Sequence, residues 1–474
     1  MRIPHLLLAA FLTSCATAPD APPAAAPTLT VTLSNTAQGG TGPLILWYDT
    51  AAERDAGGGA AIRNQLIRAH VVPDVTLGPG AALRIPLPDA PRDATLRWHA
   101  IHDTRVAYWN TVLGGQTGNA TGSTEDASTS LTLQEGPLPE PRDEPCSGDG
   151  LELLIVDVPA VKGIVGNNTQ RRLCVSTPKT LRPDGRHPVV FLLPGLGSDH
   201  MSRLRGNSDL RPVRDEVFNE AILVGVDGRI RMGSTYFTAT DVNGDWNTFL
   251  DTMVAAVDDK YPTARTPSSR ALIGQSTGGF NAIAVAIRRP DLFGAAAASA
   301  PDALHMKTWL IDVDRPTHMA PTWWAWMRLE HRISRPVDDT APLNWGQMLS
   351  YGADFSPDKG ATPPMRWPAD LDTRELVDDV VEQWHAQSPA GMLEDDAIRA
   401  RTKAKLDGKM FISVGRNDEF DLFPPAERFH RDLEAYGIQH VWQPTDEGHF
   451  KSMDRLKAGM AFLQRAMRAD QETP

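Results

Sequence analysis

The sequence predicts an α/β protein: a layered domain with a mostly parallel sheet, preceded by a small all-β domain. Three observations carry this. From about residue 151 onward, continuous apolar runs alternate with stretches of helical periodicity, as strands covered on both faces require. Between about residues 28 and 138 the pattern is short and alternating, with Gly and Pro clusters between the runs, which suits half-buried strands. The 474 residues, 41% hydrophobic and 22% charged, are enough for two domains and a large core.

Charge and composition exclude several classes. Lys plus Arg number 47 against 59 Asp plus Glu, a formal charge of −12. Nucleic-acid binding needs a basic face, so no nucleic-acid partner is expected. Beyond the extreme N-terminus no apolar run is long enough to span a bilayer. Three cysteines are too few for a disulfide scaffold or a cysteine-rich zinc ribbon.

Residues 1–15 have a charged start, a short apolar stretch and a small-residue exit, the layout of a secretory signal. Leu12-Thr13-Ser14-Cys15 resembles a bacterial lipobox, which implies cleavage before Cys15 and a diacylglycerol on its sulfur; an ordinary signal peptide is the alternative. Residues 16–27, rich in Pro and Ala, read as an extended tether. The expected location is therefore the bacterial envelope after export, with the lipid anchor as the only membrane contact. By analogy with known sorting, Ala16 favours the outer membrane. Cys146 and Cys174 then remain as an even pair in an oxidising compartment. A bridge between them would be structural and worth roughly 3 kcal/mol, with two buried thiols as the alternative.

Within residues 28–138 the strand candidates are Thr30–Leu33, Leu44–Trp47, Ala82–Ile85, Ala94–Trp98 and Leu131–Leu133. Together they suggest a sandwich-like form. Ala60–Ala69 interrupts them with a helical pattern, and Gly115–Ser130 reads as an exposed loop. This region shows no catalytic constellation; a spacer, a dimerisation module or a substrate-binding module are its candidate roles. Pro137–Gly150 is the linker, or the edge of the catalytic domain assigned to residues 139–474.

The strand candidates of that domain are Leu151–Val158, Arg172–Ser176, Val189–Leu193, Ala221–Val226, Arg270–Ile273 and Met410–Val414. In Trp246–Tyr261 the apolar residues fall on one helix face. The sharpest motif is Gly274-Gln275-Ser276-Thr277-Gly278, between a strand and a helix. Gly-x-Ser-x-Gly there forms a strained elbow that presents the serine at the carboxyl edge of the sheet. A serine nucleophile needs a base, and the base an orienting acid. Asp418 is the first acidic residue past the strand Met410–Val414, with Glu419 and Asp421 as rivals. His449 lies on a loop before a final amphipathic helix. Its rivals His430 and His440 fall inside predicted elements. Leu193-Pro-Gly-Leu-Gly197 is a buried strand running into a glycine-rich loop, so the amides of Leu196 and Thr277 are candidates for an oxyanion hole.

In these motifs the stretch from about Leu151 to Met467 resembles the α/β-hydrolase superfamily. It is most similar to the esterase group that includes esterase D, enterochelin esterase and antigen-85-type mycolyltransferases. Five motifs carry the resemblance in the expected order: Leu193–Gly197, Gly244-Asp-Trp-Asn-Thr-Phe-Leu250, Gly274–Gly279, Gly415-Arg-Asn-Asp-Glu-Phe420 and Glu447-Gly-His-Phe450. Pro194 departs from the His that many relatives carry before the glycine. The resemblance implies an α/β-hydrolase fold and hydrolysis of carboxylic esters.

More than a hundred residues separate the strand ending near Ala300 from Asp418, and seven of the twelve tryptophans lie there: Trp309, Trp323, Trp324, Trp326, Trp345, Trp367 and Trp384. A helical cap over about 302–400 is expected, with some of these rings facing an apolar or aromatic acyl group. Asp241-Val-Asn243-Gly-Asp245 has the alternating oxygens of a calcium loop, but its glycine is misplaced and Thr252 stands where glutamate belongs, so a helix N-cap is the reading. Neither a cofactor nor a catalytic metal is expected. The sequence thus reads as an exported serine esterase acting on a small-molecule or polymer-linked ester. An acyltransferase of the same fold and a catalytically silent envelope scaffold are the alternatives.

Overall fold

The computed structural model describes residues 28–37, 39–50, 68, 70–87, 96–102, 120–123, 130–135, 146–148, 150–181, 185–333 and 346–472. The signal, Cys15, the tether, most of the Ala60–Ala69 segment, most of the linker and Trp345 lie outside them.

Seven N-terminal strands come first: β1 (Thr28–Leu33), β2 (Gly40–Thr50), β3 (His70–Leu77), β4 (Ala82–Pro86), β5 (Leu96–His102), β6 (Ala120–Ser123) and β7 (Ser130–Glu135). They hydrogen-bond in the order β3-β2-β5-β6-β7-β1-β4, with β1 and β7 parallel and the other pairs antiparallel. Two strands are additions to the sequence reading. β3 has Pro73 and Asp74 breaking its alternation, and β6 lies within the segment read wholly as an exposed loop. Ala-Thr-Gly-Ser has no apolar period, so β6 owes its place to pairing with β5 and β7. Alternation sorts β2 between two cores. Leu44, Leu46 and Tyr48 join the interior of the all-β part, while Ile45 and Trp47, with Val71 and Ile101, join the core of the α/β part.

The larger sheet contains β8 (Leu151–Asp157), β9 (Gln170–Ser176), β10 (Val189–Leu193) and β11 (Ile222–Val226). Two short hairpins follow, β12 (Arg229–Ile230) with β13 (Gly233–Ser234) and β14 (Ala239–Thr240) with β15 (Gly244–Asp245). The sheet resumes with β16 (Arg270–Ser276), β17 (Ala295–Pro301), β18 (Met410–Gly415) and β19 (Val441–Thr445). Its order is β19-β18-β17-β16-β10-β11-β9-β8. The strands from β19 to β11 run parallel, and β9 and β8 close the far edge antiparallel.

The helices are α1 (Arg211–Val217), α2 (Trp246–Lys260), α3 (Thr277–Arg288), α4 (Met306–Leu310), α5 (Pro321–Ile333), α6 (Gln347–Phe355), α7 (Asp378–Gln387), α8 (Pro389–Met392), α9 (Asp396–Leu406), α10 (Phe423–Ala435) and α11 (Met453–Glu472). One face of the sheet, with Phe191, Val224, Leu272 and Ile412, packs in a core shared with α2 and α3. The other, with Val190, Leu223, Ile273 and Phe411, packs with α1 and α11. This double cover is why the strands read as unbroken apolar runs. β10 steps to β11 on one side and β16 lies on its other side, so the chain reverses direction across the sheet between β10 and β16. In open α/β sheets ligands bind beyond the strand carboxyl ends at such a switch point.

Cys146 and Cys174 form a disulfide with 5.5 Å between Cα atoms, tying the segment before β8 to β9. Asp245 caps α2, its Oδ1 accepting the N–H of Asn247 at 2.9 Å and of Thr248 at 3.3 Å. Helices α4–α9 fill the interval between β17 and β18. Within it Glu330 of α5 is fully buried and accepts the N–H groups of Gln347 and Leu349, both at 2.8 Å, capping α6. Burial pushes its carboxyl up from 4.5 to about 8. The fold then holds a proton that the unfolded chain has lost, so stability falls as pH rises from about 4.5 to about 8. Glu330→Gln removes this titration, and the melting-temperature advantage of the parent over the variant is expected to shrink between pH 5 and pH 8. An advantage that stays constant across that window, in thermal scans of both proteins, contradicts this origin.

Candidate active site

Ser276 ends β16 with φ 58° and ψ −128°, a backbone conformation that costs a non-glycine residue on the order of 1–3 kcal/mol. Its neighbours make room for the turn. A Cβ on Gly274 would fall on the backbone of Gly278, and one on Gly278 would fall on the carbonyl of Leu193. With both glycines, β10, β16 and α3 approach backbone to backbone, and the serine side chain is lifted into a cavity.

Beyond β17, on the two outer strands of that side, Asp418 follows β18 and His449 follows β19. His449 Nδ1 lies 2.9 Å from Asp418 Oδ2, and both side chains are buried. The second carboxylate oxygen of Asp418 accepts the Phe420 N–H at 3.0 Å. The histidine loop is held from three sides. The His449 N–H donates to the Glu419 carboxylate, and its carbonyl accepts Gln275 Nε2 at 2.9 Å and Arg455 Nη2 at 3.0 Å. Of the rival acids, Glu419 thus serves the backbone of the loop, and Asp421 sits at a turn with φ 51°. The rival histidines meet each other, His430 Nδ1 lying 2.8 Å from His440 Nε2, and His430 stacks on Trp442. Neither lines the cavity.

Ser276 and His449 line one cavity of about 420 Å³. Among the described residues no hydrogen bond joins them. The Ser276 hydroxyl donates instead to Asp302 Oδ1 at 3.2 Å. Asp302 directly follows β17 and is buried; its Oδ2 accepts Thr277 Oγ1 at 2.8 Å, Gln347 Nε2 at 2.7 Å and Tyr236 OH at 3.1 Å. Burial raises its carboxyl pKa, against the lowering effect of these donors. Sequence reasoning passed over Asp302, although its place at the carboxyl end of the strand beside β16 was a usable signal. It also passed over Arg455 and the side chain of Gln275, which act on the His449 loop through its backbone and leave no motif.

Leu196 lines the cavity, and among the described residues neither its backbone N–H nor that of Thr277 makes a hydrogen bond. The adjacent Gly197 N–H is taken up by Ser234 Oγ at 2.7 Å, which fixes the loop. Of the cap tryptophans, Trp309 and Trp326 line the cavity, beside Tyr351, Phe420 and Leu422. Trp323 stacks on Trp309 from outside the lining, and Trp384 is buried in the cap, donating to Ser356 Oγ at 2.7 Å. Trp324 lies under Arg328, and Trp367 donates to His331 Nδ1 at 3.2 Å. Among the described residues no group of three or more His, Cys, Asp or Glu is placed to hold a metal.

The family described as "Putative esterase" matches residues 166–422, more than half of the chain, from before β9 to just past Asp418. The chain belongs to this esterase family. The match ends short of His449. No curated protein matches its sequence significantly. Among solved structures, a ferulic acid esterase is similar at 16% identity and TM-score 0.44, over 67% of this esterase and 98% of that chain. The S-formylglutathione hydrolase FrmB of Staphylococcus aureus is similar at 13% identity and TM-score 0.42, over 68% and 99%. MPT51 of Mycobacterium tuberculosis is similar at 15% identity and TM-score 0.39, over 68% and 98%.

Proposed function

We propose that this esterase is an exported serine hydrolase that cleaves carboxylic esters through an acyl-enzyme formed on Ser276. The observation that carries the reading is the joint geometry: a serine at a strained elbow and His449, itself 2.9 Å from the buried Asp418, line one cavity. In the resting arrangement the hydroxyl rests on Asp302. When substrate enters, it turns to His449 Nε2, which takes its proton as Oγ attacks the ester carbonyl. Asp418 holds the proton on Nδ1, leaving Nε2 as the acceptor, and stabilises the imidazolium that forms. The Leu196 and Thr277 amides receive the charge on the tetrahedral oxygen. Collapse expels the alcohol, protonated by His449, and water repeats the sequence in reverse to release the acid.

Export and a lipid anchor at Cys15 belong to the same proposal, with the envelope as its place of action. The Cys146–Cys174 disulfide supports an oxidising compartment. Labelling with a fluorophosphonate, followed by peptide mapping, tests the mechanism. An adduct on Ser276 is expected; folded protein that stays unlabelled there sinks the serine mechanism.

A further inference from the structure

The cavity wall contributed by the segment after β10 contains a charge that the mechanism does not use. Arg203 lines the cavity together with Ser198 and Ser208. Its Nη2 donates to Gln275 Oε1 at 2.5 Å, while its Nε is buried and has no hydrogen-bond partner. Among the described residues no carboxylate comes within ion-pairing distance. Arg171 and Arg270 likewise have a buried Nε without a hydrogen-bond partner, but their other nitrogens are taken up. Arg171 meets Asp227 and three backbone carbonyls, Arg270 meets Asp258, and Arg288 meets the carbonyls of Ala284, Tyr236 and Phe237. Arg288 also lacks a carboxylate but has three carbonyls in its place, whereas the part-buried Arg203 guanidinium has only the Gln275 amide oxygen. A buried charge is costly unless it is paired. Burial alone brings the group down to about 10, so it stays cationic at neutral pH.

We propose that Arg203 is an anion subsite of the ester-binding cavity, and that the preferred substrates are esters carrying a carboxylate besides the bond to be cleaved. The claim rests on the serine-esterase reading and names its substrate class. The planar fork of a guanidinium can take a carboxylate through two parallel N–H donors, and Gln275 occupies one end of that fork. Gln275 is the residue before Ser276, which places the cation one side chain away from the nucleophile. The cap supplies the opposite character through Trp309, Trp326 and Tyr351. Asp302, by contrast, is already surrounded by four donors and is not a counterion for a substrate cation. The fitting molecule has an apolar or aromatic part for the cap and an anionic end for Arg203. The carboxylate can belong to the acyl group or to the alcohol.

The experiment compares matched pairs of esters on the full chain. On the acyl side, p-nitrophenyl hemisuccinate is set against its methyl ester; on the alcohol side, 4-acetoxybenzoate against methyl 4-acetoxybenzoate. The parent is expected to prefer the charged member of one pair in kcat/KM, and that pair identifies the side of the ester bond that faces Arg203. Arg203→Gln is expected to cost the charged member about 10- to 100-fold more than the neutral one, chiefly in KM, and Arg203→Lys to restore part of the preference. A brace acting only through Gln275 and the His449 loop would slow both members alike; equal losses overturn the subsite. So does a parent without preference in either pair. In unmodified protein, succinate or 4-hydroxybenzoate is expected to slow fluorophosphonate labelling more than its methyl ester does, a readout independent of variant folding. Equal protection again counts against Arg203. If the parent labels at Ser276 and cleaves neutral esters, the hydrolase reading stands whatever happens to the subsite; without labelling or turnover both fall.

Discussion

Ser276→Ala is expected to lower kcat on p-nitrophenyl esters by at least about 10⁴-fold while leaving the protein folded. Removing Oγ removes the only atom proposed to form the acyl-enzyme, so the residual rate is that of a bound ester exposed to water and the oxyanion amides. The fold tolerates the change. Alanine at φ 58° meets the same backbone strain, and Asp302 keeps its bonds from Thr277, Gln347 and Tyr236. A stability change within about 1 kcal/mol is expected for the loss of one hydrogen bond. Steady-state rates and a urea titration on parent and variant check both halves. A variant that retains a tenth of the parent rate removes Ser276 from the chemistry.

Asp418→Asn is expected to cost on the order of 10³- to 10⁴-fold in kcat, because an amide cannot serve both partners of the carboxylate. One oxygen accepts the Phe420 N–H at 3.0 Å and the other faces His449 Nδ1 at 2.9 Å. If the asparagine oxygen stays toward Phe420, its NH₂ meets Nδ1 and drives the ring proton to Nε2, where the base must be empty. If it turns, the NH₂ confronts the Phe420 amide instead. Kinetics beside a Glu419→Gln control decide the assignment. A loss below tenfold for Asp418→Asn, with a large loss for Glu419→Gln, would transfer the orienting role to Glu419.

Much of this arrangement is legible in the sequence because it rests on local rules. The elbow is a contiguous run whose glycines answer to backbone clearance, and the parallel strands announce themselves by being apolar on both faces. His449 and Asp418 stand out because each follows a strand on a loop. What escaped has a common character. Asp302, Gln275 and Arg455 act through partners far away in the chain, and β6 is a strand only because two neighbours offer it a ladder. The cap is visible as a long tryptophan-rich interval, but which rings face the cavity depends on how α4 and α5 are seated. That is set by packing, not by periodicity.

The sharing of Ile45, Trp47, Val71 and Ile101 with the larger core bears on how the molecule comes apart. These side chains belong to strands of the all-β part, yet their burial depends on the layer that also carries Trp326 and Glu330. Heat cannot loosen one portion without wetting the apolar seam of the other. Scanning calorimetry is therefore expected to record a single endotherm for the described body, and two resolved peaks would mean that the seam holds nothing together.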